Sequence, residues 1–220
     1  MSEVEHPIFY FDGERPVYRA SAVGQCLRAL TAARIGYEPL AQTDFLALAA
    51  KEGKRHEEWI IGEMTAEGWT ITRRQETINI RLPAFDIRGH IDGVAVWRSG
   101  ENAAKYLLEI KTMSRFRFST FKRQGFAAFP EYAAQVTVYH KAIQLPILYM
   151  VKCRDTGEID RYELPKPPKT FEEVYDRLLT VEILGRKGRL ADPPNDCQPF
   201  DRNNCPYRYL CESERRGWAP

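Results

Sequence analysis

Two carboxylates and a lysine in the middle of the chain have the types and spacing needed to hydrolyse a phosphodiester bond. Asp92 lies in GHIDG at residues 89–93, and Glu109 and Lys111 follow in LLEIKT, 17 positions further on for Glu109. Carboxylates on neighbouring strands can hold Mg²⁺ or Mn²⁺, which prefer oxygen ligands. A metal ion and a lysine together can neutralise phosphate oxygens and activate water. Spacing alone also allows a solvated strand face with a turn residue at Asp92.

The elements that must position these residues are β-strands. From Trp69 to Met113 the chain contains three strand-like stretches, WTITRRQETINI, FDIRGHIDGVAVW and KYLLEIKTM. In a strand, alternate side chains share a face, so Glu109 and Lys111 point the same way. Leu108 and Ile110 then point into the opposite, apolar layer.

Helical patterns surround these strands. Ser21 is a candidate cap for a first helix that stops at Gly36, and His56 faces inward on the apolar stripe of a second helix. PILYMVKC and EIDRYEL predict two more strands, and the predicted further helices are Asp44–Glu67, Pro130–Leu145 and Phe171–Lys187. The fold class is α/β, with a central mixed sheet flanked by helices. We expect one domain over residues 1–220, with a helical N-terminal part at 1–68, a core at 69–165 and a C-terminal helix and cysteine-held tail at 166–220.

These residues resemble the PD-(D/E)XK nuclease superfamily, and specifically its RecB-like branch, which has a restriction-endonuclease-like core. The resemblance implies that Asp92, Glu109 and Lys111 are catalytic, and that His56 in GKRH is a metal ligand together with Asp92, Glu109 and Ile110. It also implies that Gln135 and Tyr139 in QVTVY are part of the catalytic set. The matching blocks run in order from residue 53 to residue 139, although Ile91 stands where the family pattern has proline.

The supporting residues have ordinary structural interpretations as well. A lone inward histidine is more often a core residue than a ligand. Tyr139 can simply pack, and Gln135 can satisfy a neighbour on the helix. Gln135 and Tyr139 are four residues apart, so a helix displays both on one face.

A basic and aromatic segment follows the proposed catalytic strand. RFRFSTFKR at residues 115–123 has no acid, whereas the whole chain has 32 Lys and Arg against 30 Asp and Glu. Its arginines can pair with phosphates while a phenylalanine stacks on an unpaired base, which favours single-stranded DNA. The alternative is that the phenylalanines belong to the core. The DNA-binding candidates are Arg115, Arg117, Lys122 and Arg123, with Phe116, Phe118 or Phe121 as stacking residues.

Five cysteines predict a metal or cluster site made from both ends of the chain. Cys26 lies in the first helical region, and Cys197, Cys205 and Cys211 lie in the tail. Four thiolates suit zinc or an iron-sulfur cluster, and disulfides or plain thiols are the alternatives. The resemblance extends to an iron-sulfur subset that includes CRISPR-associated exonucleases, which implies a structural 4Fe-4S cluster. The loop after Cys197 is longer than in that pattern, with Asp192 or Asp196 as substitute ligands, whereas Cys153 lies in an apolar strand and is expected to be a buried thiol.

The remaining composition narrows the classes of function. The longest clean apolar run, Leu145–Val151, is too short to span a bilayer, and MSEVEHP does not resemble a signal peptide, so we expect a cytoplasmic protein. The net charge of +2 gives no general cationic field. The sequence thus predicts a Mn²⁺- or Mg²⁺-dependent deoxyribonuclease, more an exonuclease on single strands than an endonuclease, working with CRISPR integration or recombination proteins. A DNA-binding adaptor of such a complex is the alternative; cleavage polarity, the number of metal ions and the oligomeric state stay open.

Overall fold

The computed structural model describes residues 8–41, 44–99, 102–194 and 205–215, and these ranges contain nine strands and six α-helices. A short 3₁₀ helix at Gly125–Ala128 precedes the fourth α-helix. The strands are β1 (Phe9–Asp12), β2 (Arg15–Arg19), β3 (Thr70–Thr72), β4 (Thr77–Arg81), β5 (Asp86–His90), β6 (Gly93–Ser99), β7 (Asn102–Met113), β8 (Ile147–Cys153) and β9 (Ile159–Leu164). The helices are α1 (Leu27–Ile35), α2 (Asp44–Ala66), α3 (Arg115–Gln124), α4 (Pro130–Ile143), α5 (Phe171–Arg186) and α6 (Arg208–Arg215).

The strands form two mixed sheets, which confirms the α/β class, although the prediction had one central sheet. One sheet has the order β1-β2-β5-β4 and the other has the order β3-β6-β7-β8-β9. The β2–β5 and β7–β8 pairs are parallel and the remaining pairs are antiparallel. Each of the first two predicted strand stretches divides between the sheets, because β3 and β6 belong to one sheet while β4 and β5 belong to the other. Asp92 therefore lies where the chain passes from one sheet to the other, whereas Glu109 and Lys111 lie within β7.

The five-stranded sheet separates two apolar layers. Helix α2 covers one face, where Ile60 and Met64 pack with Leu108 and Ile110 of β7. The opposite face contributes to a larger core that includes residues of α1, α3, α4, α5 and the four-stranded sheet. The alternation predicted for β7 is thus confirmed: the side chains of Leu108 and Ile110 enter the layer under α2.

One β-hairpin and two α-helices in the described ranges were not predicted from the sequence. β1 and β2 form a hairpin within the part predicted to be helical, and its turn contains Gly13 with φ of 61°. Glycine at the first of the two turn residues, Gly13 and Glu14, is a hairpin signal, because glycine adopts positive φ at little cost. The basic segment is helix α3, and the tail contains helix α6. No helix in the described ranges is both long and apolar enough to cross a membrane.

The predicted helices occur with small changes at their ends. Cys26, and not Ser21, caps α1, because its Sγ accepts a hydrogen bond from the Ala29 N–H at 3.3 Å. Gly36 ends this helix with a φ of 98°, as the stop signal predicted. Helix α5 begins with a reciprocal capping box between Thr170 and Glu173.

Candidate active site

The C-terminal half of β7 brings Glu109 and Lys111 together with Asp92. Asp92 lies between β5 and β6, and its Oδ2 accepts a hydrogen bond from the Ile110 N–H at 2.7 Å. The Nζ of Lys111 lies 2.6 Å from Oε1 of Glu109. Gly93, next to Asp92, lets β6 lie close to β3, because a Cβ there would lie only 3.1 Å from the Thr72 carbonyl oxygen. Residues 17 to 19 positions apart in the sequence therefore share one small polar site.

Burial dominates the electrostatics of this site. Glu109 is 1% exposed, and its Oε2 has no hydrogen-bond partner among the described residues. Burial raises the pKa of Glu109, an effect that the Lys111 ammonium opposes. Burial and the charge of Glu109 raise the pKa of Asp92 to about 7. Burial lowers the pKa of Lys111, but the carboxylates of Glu109 and Asp92 outweigh it, so this pKa is raised overall.

Glu57 of α2 is a third acidic residue of this site that the sequence analysis missed. Burial, followed by the charge of Asp92, raises the pKa of Glu57, and the charge of Glu57 in turn raises that of Glu109. One Glu57 oxygen, Oε1, accepts a hydrogen bond from Nε2 of Gln75 at 2.8 Å. The only indication of Glu57 in the sequence was its position next to His56. The apolar stripe of the helix contains His56, so the histidine was chosen as the candidate.

His56 lies in different surroundings. It is partly buried, and burial and the nearby Lys152 ammonium lower its pKa. The other charges that act on it belong to Glu52 and Arg154, so neither Asp92 nor Glu109 is among the described groups that shift its pKa. Its role as a metal ligand stays a prediction.

The metal ligands predicted from the sequence are therefore only partly assembled. Within the described ranges, no three His, Cys, Asp or Glu side chains form a group that could hold a metal ion by themselves. Ile110 can contribute only its backbone carbonyl, because its aliphatic side chain has no ligand atom and packs in the apolar layer under α2. Mg²⁺ usually keeps several waters and needs only one or two protein carboxylates, so the unpartnered oxygen of Glu109 and the nearby Asp92 fit such an ion.

Helix α4 packs the second predicted pair against this site. Gln135 and Tyr139 are both buried, and Nε2 of Gln135 donates a hydrogen bond to the Tyr139 hydroxyl at 3.1 Å. Burial and then the charge of Glu109 raise the pKa of Tyr139. The backbone of β5 comes close to the helix, since a Cβ on Gly89 would lie 3.1 Å from the Tyr139 hydroxyl. The structure thus brings this pair to the same side of β7 as Glu109.

Two further tyrosines line the site and were not predicted. The Nζ of Lys111 lies 5.4 Å from the centre of the Tyr132 ring on α4. Tyr149 pairs with Glu109 in the β7–β8 register, is fully buried, and has a hydroxyl without a hydrogen-bond partner among the described residues. Burial and then the charge of Glu109 raise the pKa of Tyr149. The polar tip of Tyr149 in the apolar stretch PILYMVKC was the available signal.

The basic segment forms helix α3, which places its charges in unequal environments. Arg117 bonds to Glu131 at 3.1 Å and stacks over the Phe129 ring at 4.6 Å. Lys122 pairs with Glu158 at 2.6 Å. Arg115 and Arg123 are exposed. These charges therefore do not form one uniform cationic surface.

The phenylalanines of this segment divide between core and solvent. Phe118 and Phe121 are buried, as the alternative interpretation held, so neither ring can stack on a base. Phe116 is 79% exposed at the start of α3. Of the three stacking candidates, it alone has an accessible ring.

The cysteine site lies partly outside the described residues, because they do not include Cys197. Cys26 caps α1, Cys205 stands before α6 and Cys211 lies within α6. The two helices are packed together, since an Arg28 Nη2 of α1 donates to the Leu210 carbonyl oxygen at 3.3 Å. The chain ends therefore meet, while ligation by these thiols stays a prediction. Asp192 is exposed, Asp196 lies outside the described residues, and Cys153 is fully buried, as expected for a core thiol.

Comparisons with known proteins support the fold and leave the activity open. No family model matches the chain, and no curated protein matches it. Among solved structures, the crystal structure of SSO0001 covers 92% of this chain and 88% of its own, with 13% sequence identity and a TM-score of 0.52. The structure of LHK-Exo in complex with dAMP covers 76% of this chain and 95% of its own, with 16% identity and a TM-score of 0.39. At these identities the first likeness shows a shared fold alone, and the second is too remote to support an argument.

Proposed function

We propose that this protein is a metal-dependent DNA nuclease that hydrolyses phosphodiester bonds. The observation that carries the proposal is the buried Oε2 of Glu109, which has no hydrogen-bond partner among the described residues and lies beside Asp92 and Lys111. A buried carboxylate oxygen without a partner costs free energy, and a bound divalent cation compensates for that cost. This oxygen would then be one ligand of the ion, and the Asp92 carboxylate and the Ile110 carbonyl oxygen would supply others.

The residues of the site divide the work. Asp92, Glu109 and the Ile110 carbonyl, with His56 as a further ligand, would hold Mn²⁺ or Mg²⁺. When bound, the ion supplies charge neutralisation at the phosphate and lowers the pKa of a coordinated water. The raised pKa of Lys111 keeps its ammonium charged at neutral pH, so it stabilises developing negative charge and orients the water. Gln135 and Tyr139 position the backbone of the substrate from α4.

The substrate we propose is single-stranded DNA, attacked from an end. The exposed Arg115, Phe116 and Arg123 on α3 offer two cations and an accessible ring next to the catalytic strand. CRISPR adaptation or recombination is the setting that the sequence resemblance suggests, and proteins of such a complex are the proposed partners.

The four-cysteine site is part of the same proposal. Cys26, Cys197, Cys205 and Cys211 would hold a 4Fe-4S cluster that joins the chain ends, with zinc as the alternative. Thiolates suit both metals, and the docking of α6 on α1 supports a site shared between the ends. Its role would be structural.

The catalytic assignment is tested with end-labelled single-stranded DNA and Mn²⁺. We expect Asp92→Asn, Glu109→Gln and Lys111→Met each to slow cleavage by roughly a hundredfold or more, as for removal of a preorganised charged group. Lys105→Met is the matched control, because Lys105 is exposed on the same strand and lies six positions before Lys111. Equal activity in all variants would overturn the assignment. DNA binding without cleavage, unaffected by Glu109→Gln, would favour the adaptor instead.

The cluster is tested by anaerobic purification with iron, sulfide and zinc analysis. We expect a coloured protein that loses iron in Cys205→Ser and keeps it in Cys153→Ala, since Cys153 is a core thiol. A colourless protein that contains zinc and lacks iron would replace the cluster with a zinc site.

A further inference from the structure

An exposed tryptophan on α2 stands outside the catalytic set. Trp59 lies within α2, and 46% of its surface is open to solvent. The Nζ of Lys152 on β8 lies 3.6 Å from the centre of its ring. A cation this close to an indole face attracts the ring electrostatically and so holds it in one orientation. Trp59 is therefore a braced aromatic surface with solvent on its open side.

The cation beneath the ring is buried and forms no ion pair with the acids that the structure describes. Lys152 is only 7% exposed, and no described carboxylate lies within ion-pair distance of its Nζ. Two acids of α2 are relevant here. The charge of Glu63 acts on Lys152, whereas Glu52 is already paired with Arg55 at 2.7 Å. Arg154, just after β8, likewise forms no ion pair within the described ranges. Two cations that form no ion pair among the described residues, Lys152 and Arg154, therefore lie near α2, and Glu63 is the acid that acts on Lys152 from a distance.

Lys152 and Arg154 lie next to the catalytic strand β7. Lys152 pairs with Thr112 in the β7–β8 register, and Thr112 directly follows Lys111. The Arg154 N–H donates to the Met113 carbonyl oxygen at 2.8 Å, so Arg154 lies at the end of β7. The carboxyl ends of neighbouring parallel strands are where α/β sheets usually bind ligands. Lys152 and Thr112 lie on the α2 face of the sheet, whereas Glu109 and Lys111 lie on the opposite face. A chain that crosses this edge of the sheet therefore passes from Trp59 on one face to the proposed catalytic residues on the other.

We propose that Trp59, braced by Lys152, is a base-stacking platform for single-stranded DNA at the carboxyl ends of β7 and β8. The inference rests on the proposed function, because it supplies a nucleotide subsite for that same active site. An unpaired base has an aromatic face for the open side of the indole, and its phosphate is attracted by Arg154. Phe116, which is exposed at the start of α3 just after β7 ends, offers a second accessible ring near this edge.

The test measures binding of fluorescent single-stranded oligonucleotides by anisotropy, in EDTA so that no cleavage occurs. Two oligonucleotides of equal length are compared, one of thymidines and one with abasic sites in place of the bases. Trp59→Ala should weaken binding of the thymidine oligonucleotide by roughly five- to a hundredfold, the range measured for loss of one stacked base. It should leave binding of the abasic oligonucleotide unchanged, because that strand has no base to stack.

Two controls separate stacking from a structural effect. Trp59→Phe keeps an aromatic face and should recover most of the affinity for the thymidine oligonucleotide. Trp97→Ala removes another partly exposed tryptophan, on β6, and should leave both affinities unchanged. Equal loss of both oligonucleotides in Trp59→Ala, or no loss of either, overturns the platform.

The outcome is independent of the nuclease assignment. Stacking-dependent binding in a protein that never cleaves DNA would support the platform and refute the nuclease. Cleavage by a protein in which Trp59→Ala binds thymidines normally would refute the platform alone.

Discussion

Replacing Asp92 with asparagine should stabilise the metal-free protein at high pH and leave its stability unchanged at low pH. Asp92 accepts the Ile110 N–H, and asparagine keeps a carbonyl oxygen for that bond. The charge, however, costs free energy, because burial and Glu109 raise the pKa of Asp92 from the ordinary 3.8 to about 7. The substitution removes that cost and keeps the shape of the side chain.

The magnitude follows from the pKa shift. The folded protein binds the Asp92 proton more tightly than the unfolded chain does. The free energy of unfolding is therefore highest below pH 3.8, the pKa in the unfolded chain, and falls as the pH rises to about 7, the pKa in the folded protein. A shift of about three pKa units corresponds to about 4 kcal/mol. Because Lys111 and Glu109 share this charge balance, we treat that value as an upper limit and expect a gain of about 2–4 kcal/mol above pH 7.

The assay is urea unfolding in EDTA between pH 4 and pH 8, followed by circular dichroism. We expect the curves of the wild type and Asp92→Asn to coincide at pH 4 and to separate progressively toward pH 8. Asp176→Asn, an exposed substitution on α5, is the control and should follow the wild type throughout. If Asp92→Asn also follows the wild type at pH 8, the charge of Asp92 is not destabilised by burial and the electrostatic account of the site fails.

Three other predictions concern the same region and its support. Mn²⁺ at a hundred times its Kd should raise the unfolding free energy of the wild type by about 2.7 kcal/mol at pH 8, and calorimetry should find no such gain in Glu109→Gln. Gly89→Ala should destabilise the protein by about 1–3 kcal/mol in urea titration, because its Cβ would lie 2.6 Å from that of Ala20, whereas Gly62→Ala on α2 has no neighbour within 4 Å and should not. Lys122→Ala should leave the midpoint of the same titration nearly unchanged, since its pair with Glu158 is exposed; a clear drop of the midpoint would mean that α3 depends on this pair.

Some features of the site could be predicted because they are local. A strand alternates its side chains, so Glu109 and Lys111 had to share a face once β7 was recognised. A helix aligns residues four apart, so Gln135 and Tyr139 had to lie together, and their hydrogen bond is present. Gly36 ended α1 because only a residue that tolerates positive φ fits there.

Other features depend on contacts between distant parts of the chain. Glu57 was missed because the groups it interacts with, Asp92 and Glu109, are far from it in the sequence. The residue pattern of α2 by itself gives no sign of that contact. The sequence left Phe118 and Phe121 as candidates for base stacking, and only the packing of α3 against the core shows that both rings are buried. The hairpin β1–β2 was hidden because its strands are short and one of them pairs with β5, more than 60 residues away in the sequence.

The sequence by itself determined which residues can do chemistry and, through the strand and helix periods, which of them share a face. Only the tertiary structure decided how deeply Asp92 and Glu109 are buried, which oxygen is left without a partner, and that Lys152 lies beneath Trp59. The physical reason is that periodicity is a property of one element, whereas desolvation and charge coupling are set by whatever other elements pack against it.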